Sequence, residues 1–499
     1  SLQMTKYCGE NFKAIAYAPN RMSKRHVITG KRPEFIKFLD SHPKWNATVT
    51  PFLNGFQPSV LTHEAYYKDV LKYNKDIIVG GTDEVCFAKA VVATIGILEI
   101  AGFSKGQFQP IFDGCKIFND LNLDAAMGAL YSGKKSAYFD GATSDEINEF
   151  FELSAAKLLS NGHGVWSGLL KAELRPKAKV VANKTRTFTS APIDILMGAK
   201  AVVDEFNKFF YTKHLRGPWT VGINKFNGGW DLLAKNLMVH EWFIDADGSQ
   251  FDSSITPLLM NAILNIRQYF MAEDDEAEQM LANLYTQIIN TCILIEDGTI
   301  VQKFRGNNSG QPSTVVDNTM CLIIAMEYCR MRVEKDHEHR MRILYVCNGD
   351  DLLINADTKD KDFIQQYFAD YMRELELNYS FDEAYRSIEE VEYMSHTFMK
   401  RNSMYIPKLK RERIVAILEW QRSKEPKAIQ SAIIAAYVEA FGYDEFTEMI
   451  EELAQEVSAV WPDFKLPSRQ EVEDLYLTGT RTDLGEEIKE CGEQYCVYE

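Results

Sequence analysis

The pattern that most restricts the fold of this sequence is a pair of apolar runs separated by four turn-forming residues. The runs occupy residues 343–347 and 352–354, and Asn-Gly-Asp-Asp fills the turn at 348–351. This pattern predicts a β-hairpin whose strands are buried on both faces. The adjacent carboxylates of Asp350 and Asp351 would repel each other at its tip and resist desolvation. A divalent cation would relieve that repulsion, because hard cations bind carboxylate oxygens; a plain turn is the alternative interpretation.

A second acidic segment precedes the hairpin in the chain. The run at 242–247 begins apolar and ends in acid, Asp252 follows, and a Thr-Pro pair then begins a helical pattern. The order predicts a buried strand with carboxylates at its C-terminal end, an acidic loop and a helix, although a surface acidic turn would look similar. Metal-assisted phosphoryl transfer needs carboxylates from separate elements to hold two ions. The two segments together supply candidate residues for catalysis and metal binding, namely Asp247, Asp350 and Asp351.

A glycine-rich segment lies between the two acidic ones. Residues 306–310 predict a flexible turn, and Pro312 and Ser313 predict the start of a helix. Thr314 and Asn318 are four residues apart and therefore share a face of that helix. Two small polar groups on one face suit contacts to a sugar hydroxyl, while a helix cap followed by a polar face is the alternative.

Positive charge is concentrated in one segment of an otherwise acidic chain. The formal net charge is −16, which taken alone argues against a nucleic-acid-binding protein. Residues 171–186 nevertheless contain six basic residues against Glu173, and a local basic channel can attract a polyanion. Arg and Lys donors suit phosphate oxygens, so this segment predicts a triphosphate clamp, with a solvated basic loop as the alternative. The basic residues are Lys171, Arg175, Lys177, Lys179, Lys184 and Arg186.

Composition excludes several other classes of protein. Apolar residues make up 46% of the chain, which is enough for a large core. The nine cysteines form no CxxC pair, so neither a disulfide framework nor a zinc site is predicted. No apolar stretch is long enough to span a bilayer. The acidic, poorly periodic last thirty or so residues predict a loosely ordered tail.

In chain order, these features resemble viral RNA-dependent RNA polymerases of the positive-strand, picornavirus-like group. The resemblance is closest to the nuclear inclusion protein b family of potyviruses. It covers about residues 10–465 and is most specific between 164 and 420. The stretches that carry it are 57–59, 164–176, 183–188, 191–194, 306–319, 394–396 and 406–409.

The resemblance implies an α+β right-hand polymerase fold, in which an antiparallel palm sheet is flanked by helices. Fingers, palm and thumb would surround a central channel. The implied divisions are 1–205 for the fingers with an N-terminal extension, 206–272 for the first part of the palm, 273–305 for a fingers insertion, 306–402 for the second part of the palm, and 403–499 for the thumb and the acidic tail.

The resemblance also implies a role for each matching residue. Asp247 and Asp350 would be the main metal ligands, with Asp351 beside them. The residues that would sense the ribose 2′-hydroxyl are Asp252, Thr314 and Asn318. Ser309 and Gly310 would lie on a mobile loop against template and nucleotide. The residues that would guide the triphosphate are Lys171, Arg175, Lys184 and Arg186, and those of the primer grip are Met394, Ser395 and His396.

Cofactors, partners and location follow from the same resemblance. It implies Mg²⁺, with Mn²⁺ as a possible substitute, and an RNA template, an RNA primer and nucleoside triphosphates as ligands. A tyrosine of a small genome-linked viral protein would also act as primer, and other viral replication proteins and host translation factors would be partners. The chain would be released from a polyprotein. It would work in membrane-associated replication complexes of the host cytoplasm and also enter the nucleus.

One position departs from the pattern of the family. The family usually places a lysine after the metal hairpin to protonate pyrophosphate, whereas residues 380–387 offer only Arg386, a poor proton donor.

Two other classes of protein are alternatives to an RNA-dependent RNA polymerase. A reverse transcriptase has a similar palm but normally carries an aromatic residue where Asp252 stands. A non-catalytic RNA-binding scaffold would have lost a metal aspartate, and none is lost here.

Overall fold

A computed structural model describes residues 6–19, 26–76 and 80–478 of the chain. Most of the predicted acidic tail, from 479 onward, lies outside the described residues. Its first part is not loosely ordered as predicted, because Ser468 begins a helix there with a capping box to Glu471. None of the helices in these ranges is long and apolar enough to cross a membrane.

Helices and strands are mixed along the whole chain, which confirms the predicted α+β class. The helices are α1 Pro33–Ser41, α2 Pro43–Val49, α3 His63–Val70, α4 Glu84–Ala101, α5 Gly114–Asn119, α6 Lys135–Tyr138, α7 Ser144–Leu159, α8 Lys177–Val181, α9 Ile193–Thr212, α10 Gly229–Leu237, α11 Phe251–Ser254, α12 Pro257–Phe270, α13 Asp275–Ile289, α14 Thr314–His337, α15 Thr358–Phe363, α16 Ala369–Glu374, α17 Arg411–Glu419, α18 Pro426–Glu439, α19 Asp444–Val460 and α20 Arg469–Leu477.

The strands are short, and most of them pair antiparallel. They are β1 Phe12–Tyr17, β2 Gly30–Lys31, β3 Phe56–Pro58, β4 Val165–Leu170, β5 Leu174–Pro176, β6 Thr187–Ser190, β7 Trp242–Ser249, β8 Cys292–Leu294, β9 Thr299–Lys303, β10 Leu344–Asn348, β11 Asp351–Ala356, β12 Asn378–Ser380, β13 Ala384–Tyr385, β14 His396–Arg401, β15 Met404–Leu409 and β16 Trp420–Gln421.

An antiparallel sheet of strands β10, β11, β7 and β12, here called the palm sheet, confirms the predicted hairpin. Asn348 pairs with Asp351 across the turn, and Gly349 takes a φ of +57°, which a glycine adopts without steric cost. Both hairpin strands are buried, as their apolar runs predict. The largest core lies under this sheet, where α9, α12, α13 and α14 pack against β7, β10 and β11. These helices hold the end of the sheet that carries the acidic residues.

A second sheet, here called the fingers sheet, has the strand order β1, β9, β8, β4 and β6. Its strands come from two distant parts of the chain, because β8 and β9 follow α13 whereas the others precede α9. Strands β4 and β8 run parallel, and the other neighbours are antiparallel. Strand β6, at one edge of this sheet, directly follows the basic segment in the chain.

The N-terminal part of the chain packs into the C-terminal helices. Side chains of α1 and α2 share one core with α17, α18, α19 and α20. Strand β2 pairs with β16, and the buried Arg32 donates to the backbone carbonyls of Ile417, Leu418 and Trp420 at 3.0–3.2 Å. These contacts join residues near the start of the chain to the segment after α17.

Candidate active site

Two elements of the palm sheet bring the predicted carboxylates to one end of the sheet. Leu352 of β11 pairs with Ala246 of β7, so Asp351 and Asp247 follow at the same end of this antiparallel pair. Asp350 lies beside them in the hairpin turn. All three residues have solvent-exposed surface, although surrounding protein atoms partly desolvate the carboxyl groups of Asp350 and Asp351. They form what we call the acidic edge, consisting of Asp247, Asp350 and Asp351.

The acidic edge carries repelling negative charge. Loss of solvation raises the pKa of Asp350, and the charges of Asp252 and Asp247 raise it further. Loss of solvation and the adjacent Asp350 raise the pKa of Asp351 to about 7. Among the described residues, no lysine or arginine forms an ion pair with any of the three carboxylates. The edge therefore holds negative charge that no ion pair among these residues neutralises, while the more distant charges of Arg186 and Arg413 lower the pKa values of Asp350 and Asp351.

This donor set fits a divalent cation that takes part of its coordination from a substrate. Within the described ranges, no three His, Cys, Asp or Glu side chains converge into a ready metal cage. Mg²⁺ is commonly bound by one or two carboxylates together with waters and substrate phosphates, so a closed protein cage is not required. Solvent-open carboxylates, two of which have raised pKa values, meet this description better than a structural metal site does.

The predicted ribose contacts Asp252 and Asn318 meet directly. The amide Nδ2 of Asn318 donates to Asp252 Oδ1 at 2.7 Å, and Asn318 Oδ1 accepts from Asn307 Nδ2 at 2.9 Å. Loss of solvation raises the pKa of Asp252, while Lys72 and the Asn318 hydrogen bond lower it. Asp252 lies on the short helix α11, where the sequence predicts a loop. The charges of Lys171 and Arg186 in the basic segment lower the pKa of Asp252, and the charge of Asp252 raises the pKa of Asp350 in the acidic edge. The Asp252–Asn318 pair is therefore within electrostatic reach of both groups.

Residues 306–310 do not form the flexible turn that their composition predicts. Asn307 and Asn308 are fully buried, and the buried ammonium of Lys303 donates to the carbonyls of Arg305 and Gly306 at 2.9 and 3.1 Å. Glycine and asparagine serve here for close backbone approach and for side-chain hydrogen bonds. The prediction was wrong because composition alone does not show which partners a loop will find.

The remaining predicted residues of this loop contact the fingers sheet and their own turn. Gly310 N–H donates to Thr189 O at 2.8 Å, and Ser309 Oγ accepts from Thr189 N–H at 3.2 Å. Thr314 Oγ1 donates to backbone carbonyls of its own loop, and its shortest hydrogen bond is the one to Asn308 O, at 2.7 Å. The loop is thus hydrogen-bonded to β6, and the role of Thr314 in sugar recognition stays a prediction.

The basic segment gathers around a buried carboxylate that sequence analysis counted only as an opposing charge. Glu173 is 1% exposed. Arg186 binds it through two nitrogens, with Nε at 2.7 Å from Oε1 and Nη2 at 2.5 Å from Oε2. Lys171 Nζ lies 3.4 Å and Arg175 Nε 3.8 Å from the same carboxylate. We call these four residues the basic cluster: Lys171, Glu173, Arg175 and Arg186.

A spacing in the sequence indicates this arrangement. Residues 171, 173 and 175 alternate within an extended segment, and alternate residues of a strand point to the same side. Lys184 joins through its backbone, since its carbonyl accepts from Arg175 Nη2 at 3.2 Å, and its side chain is exposed. Sequence analysis missed Lys72, whose ammonium contacts Asp69 at 3.0 Å and whose charge lowers the pKa of Asp252.

The predicted primer-grip residues form a tight turn between Tyr393 and His396. These two residues exchange backbone hydrogen bonds of 2.8 and 3.0 Å. Met394 and Ser395 between them both have positive φ values, 52° and 65°, as in a type I′ turn. Strand β14 begins at His396 and pairs with β15.

The structure excludes Arg386 as a proton donor to pyrophosphate. Its guanidinium stacks 4.4 Å from the ring of Trp242, at the start of β7. Asp247 lies five residues further along this strand, roughly 16 Å away at about 3.3 Å per residue. Arg386 therefore lies far from the acidic edge.

Comparisons with known proteins agree with this geometry. The profile of the family described as viral RNA-dependent RNA polymerase matches residues 32–458. A genome polyprotein of Brome streak virus (strain German) is 66% identical over 476 residues, which cover 95% of this chain and 50% of the polyprotein. A genome polyprotein of Plum pox potyvirus (isolate NAT) is 47% identical over 444 residues, covering 88% of this chain and 14% of the polyprotein. The chain spans half the length of the first of these relatives and a smaller share of the second.

This chain belongs to the viral RNA-dependent RNA polymerase family, because the family profile covers most of its length. A genome polyprotein of Sweet potato mild mottle virus (isolate Salazar) is also 48% identical over 453 residues, or 90% of this chain and 13% of the polyprotein. The predicted resemblance to the potyvirus family is confirmed by these relatives. The family match does not support the reverse-transcriptase alternative.

Proposed function

We propose that this chain synthesises RNA on an RNA template by metal-assisted nucleotidyl transfer, in the replication of a positive-strand RNA virus. The observation that carries the proposal is the acidic edge, where β7 and the β10–β11 hairpin place three carboxylates that form no ion pair among the described residues. The basic cluster and the Asp252–Asn318 pair stand within electrostatic reach of it. Family membership supports the same reaction.

Each group of residues has a distinct task in the proposed reaction. Asp247, Asp350 and Asp351 would hold the metal ions. Bound there, divalent cations would activate the attacking 3′-hydroxyl and neutralise charge on the triphosphate. The three cations around Glu173 are oriented before a nucleotide arrives, and they would donate hydrogen bonds to phosphate oxygens. We propose Mg²⁺ as the physiological ion, with Mn²⁺ as a substitute, since both accept carboxylate oxygens.

Sugar selection would depend on hydrogen bonds. Asp252 Oδ1 accepts from Asn318, so the Asp252 carboxylate still has lone pairs for a ribose hydroxyl. A deoxynucleotide would leave these polar groups unpaired, which commonly costs about 1–3 kcal/mol for each buried group. Discrimination by lost hydrogen bonds distinguishes this site from one that excludes ribose with a bulky side chain.

The acceptor would be an RNA 3′-hydroxyl or, by family resemblance, a tyrosine of a genome-linked viral protein. Both present a hydroxyl nucleophile, so the same acidic edge would serve both. Contacts with other viral replication proteins and host translation factors, and a location on host membranes and in the nucleus, remain proposals that rest on the resemblance alone.

Primer extension with purified protein tests the proposed function. The assay combines an RNA primer–template, UTP and Mg²⁺. The Asp350→Asn variant keeps the side-chain shape but removes a charge that would hold a cation, so it should abolish extension. Asp362→Asn is the matched control, because Asp362 is well exposed on α15. Extension by Asp350→Asn at near the wild-type rate would contradict the assignment, and a wild-type chain that extends no primer would contradict the function.

A further inference from the structure

A nearly buried lysine connects the palm, the primer-grip turn and the thumb. Lys225 lies just before α10, and its side chain is 14% exposed. Its ammonium contacts both carboxylate oxygens of Glu439, at 2.7 and 2.9 Å, and the Nε2 atom of His396, at 2.9 Å. Glu439 ends the thumb helix α18, and its side chain is fully buried. One cation therefore joins three segments that are distant in the sequence.

These contacts fix the protonation state of His396. A lysine ammonium can only donate hydrogen bonds, so His396 Nε2 must accept. The other ring nitrogen, Nδ1, lies 2.6 Å from the carbonyl oxygen of Met394, which can only accept, so Nδ1 must carry the proton. Burial and the charge of Lys225 hold the pKa of His396 well below its ordinary value. Both contacts thus require the neutral ring with its proton on Nδ1.

The hydrogen bond from His396 stabilises a turn of unusual backbone conformation. Met394 and Ser395 both have positive φ values, which residues with side chains rarely adopt. The His396 ring closes this turn by donating to Met394 O. A conformation of this kind persists only where its surroundings hold it in place. The Lys225–His396 contact is one such restraint.

The same turn is hydrogen-bonded to the metal hairpin on its other side. Asn348, the last residue of β10, donates through Nδ2 to Thr220 Oγ1 at 3.1 Å. Thr220 Oγ1 in turn lies 2.7 Å from the hydroxyl of Tyr393, the residue that precedes the turn. The backbone N–H of Thr220 donates to Cys347 O at 3.0 Å. The primer-grip turn therefore has hydrogen-bonded connections to the hairpin and to the thumb helix.

We propose that Lys225 is a positioning residue for the primer. By holding His396 in the neutral form protonated on Nδ1, it keeps the Met394–Ser395 turn in a fixed position relative to the metal hairpin. By binding Glu439, it fixes thumb helix α18 against that turn. This inference rests on the proposed function, because a primer terminus must be aligned with the acidic edge. Lys225 itself does not touch the reacting atoms.

A purely stabilising ion pair between palm and thumb is the competing explanation. A buried pair can often be replaced by apolar residues without loss of stability, whereas removal of one partner alone is destabilising. Replacing both partners therefore separates the two explanations. The double variant Lys225→Met/Glu439→Leu restores an apolar match between palm and thumb but leaves His396 without its donor.

The experiment compares Lys225→Met, the double variant and the control Lys427→Met, whose lysine is exposed on the first turn of α18. We measure the melting temperature, the KM for primer–template and the KM for UTP. Lys225→Met should lower the melting temperature and raise the primer–template KM about tenfold, since a small misplacement is costly in a positioned site. The double variant should regain the melting temperature and keep the raised primer–template KM. The KM for UTP should stay near wild type in all of them.

Recovery of both the melting temperature and the primer–template KM in the double variant would overturn the proposal, as would a KM effect confined to UTP. Nitrogen-15 NMR of the histidine rings gives a second test, which is made on the wild-type protein. The His396→Asn variant serves only to identify the His396 signal. A neutral ring protonated on Nδ1 at pH 7 supports the proposal, and a charged or Nε2-protonated ring overturns it. A wild-type chain that extends no primer would contradict the proposed function, while the ring measurement would still decide the Lys225 contact.

Discussion

The basic cluster brings positive charges together and the acidic edge brings negative charges together, and the repulsion within each group is balanced differently. Lys171, Arg175 and Arg186 surround the buried carboxylate of Glu173, which supplies a counterion within the protein. The acidic edge has no such ion pair among the described residues, and the pKa of Asp351 is raised to about 7. In the proposed reaction, the basic cluster would therefore be organised before substrate arrives, whereas the acidic edge would become complete only when cations bind.

This difference matches what each cluster would do in the proposed reaction. Donors that are already oriented need no rearrangement when a triphosphate enters, and preorganised charge is an effective form of catalysis. Carboxylates held close together without a counterion favour a divalent ion, because the ion removes their repulsion. The predictions below would separate the two clusters or show that they behave alike.

The largest effect is expected from Arg186→Ala in the basic cluster. Arg186 is the residue that binds Glu173 through two nitrogens, and its guanidinium would also donate to phosphate. Loss of a charged hydrogen bond typically costs about 1.5–3 kcal/mol, so the KM for UTP should rise about 10- to 100-fold in primer-extension kinetics. Lys184→Ala should raise it less, because the Lys184 side chain is exposed.

Arg373→Ala is the matched control for this prediction, since Arg373 is well exposed and its ion-pair partner, Asp370, is exposed as well. Its kinetics should match wild type. A variant of Arg186 that loses affinity for the RNA template while its nucleotide KM is unchanged would move the basic cluster from the nucleotide to the template.

Cation binding at the acidic edge should depend on pH between pH 6 and 8, a range in which an ordinary surface carboxylate is already ionised. The pKa of Asp351 is about 7 in the folded chain, so this carboxyl is largely protonated at pH 6 and ionised at pH 8. A proton must leave before a cation binds, and Mg²⁺ affinity should therefore be about tenfold weaker at pH 6 than at pH 8. Calorimetry on the wild-type chain measures this directly. Equal affinities at the two pH values would remove Asp351 from the metal site.

A smaller effect is expected at the residues between the clusters. Asn318→Ala removes the donor to Asp252 and the acceptor for Asn307. Ribonucleotide incorporation should slow, and the preference for UTP over dUTP should narrow by about tenfold, which corresponds to about 1.4 kcal/mol. Single-nucleotide kinetics with both substrates give the ratio. If the ratio of catalytic efficiencies is unchanged, Asn318 is a structural residue of α14.

The acidic edge was predictable because its pattern is local. The apolar runs around residues 348–351 determine the hairpin, and β7 follows from the apolar run before Asp247. The Asp252–Asn318 contact was an expectation from family resemblance, and the structure brings the two side chains within 2.7 Å. Short-range patterns and family motifs therefore predicted which residues come together at this end of the palm sheet, and their catalytic roles stay predictions.

The basic cluster was only partly predictable because a sum of charges contains no geometry. Glu173 counted against the neighbouring cations in that sum, yet in the structure it holds them together. Lys225 precedes a Phe-Asn-Gly turn and looks like an ordinary surface lysine in the sequence. Its partners Glu439 and His396 are more than 170 residues away, and no local pattern reports such contacts.

The two clusters differ in whether ion pairs within the described chain balance their charge, as they do around Glu173 and do not at the acidic edge. Melting temperatures of Glu173→Gln and Asp351→Asn at pH 8, in buffer with a chelator, test it most directly. Both substitutions keep the shape of the side chain and remove one negative charge. Asp362→Asn serves as the surface control, for which no change is expected.

Glu173→Gln should lower the melting temperature, because three cations lose a buried counterion; a loss of about 1–3 kcal/mol is reasonable for a pair that is partly exposed. Asp351→Asn should raise it. A carboxyl whose folded pKa is raised destabilises the fold as pH rises towards and through that pKa, and at pH 8 this destabilisation is fully present. The increase in melting temperature for Asp351→Asn should be smaller at pH 5 and should disappear only below the ordinary pKa of an aspartate, about 3.9. Shifts of the same sign for the two variants at pH 8 would contradict the account.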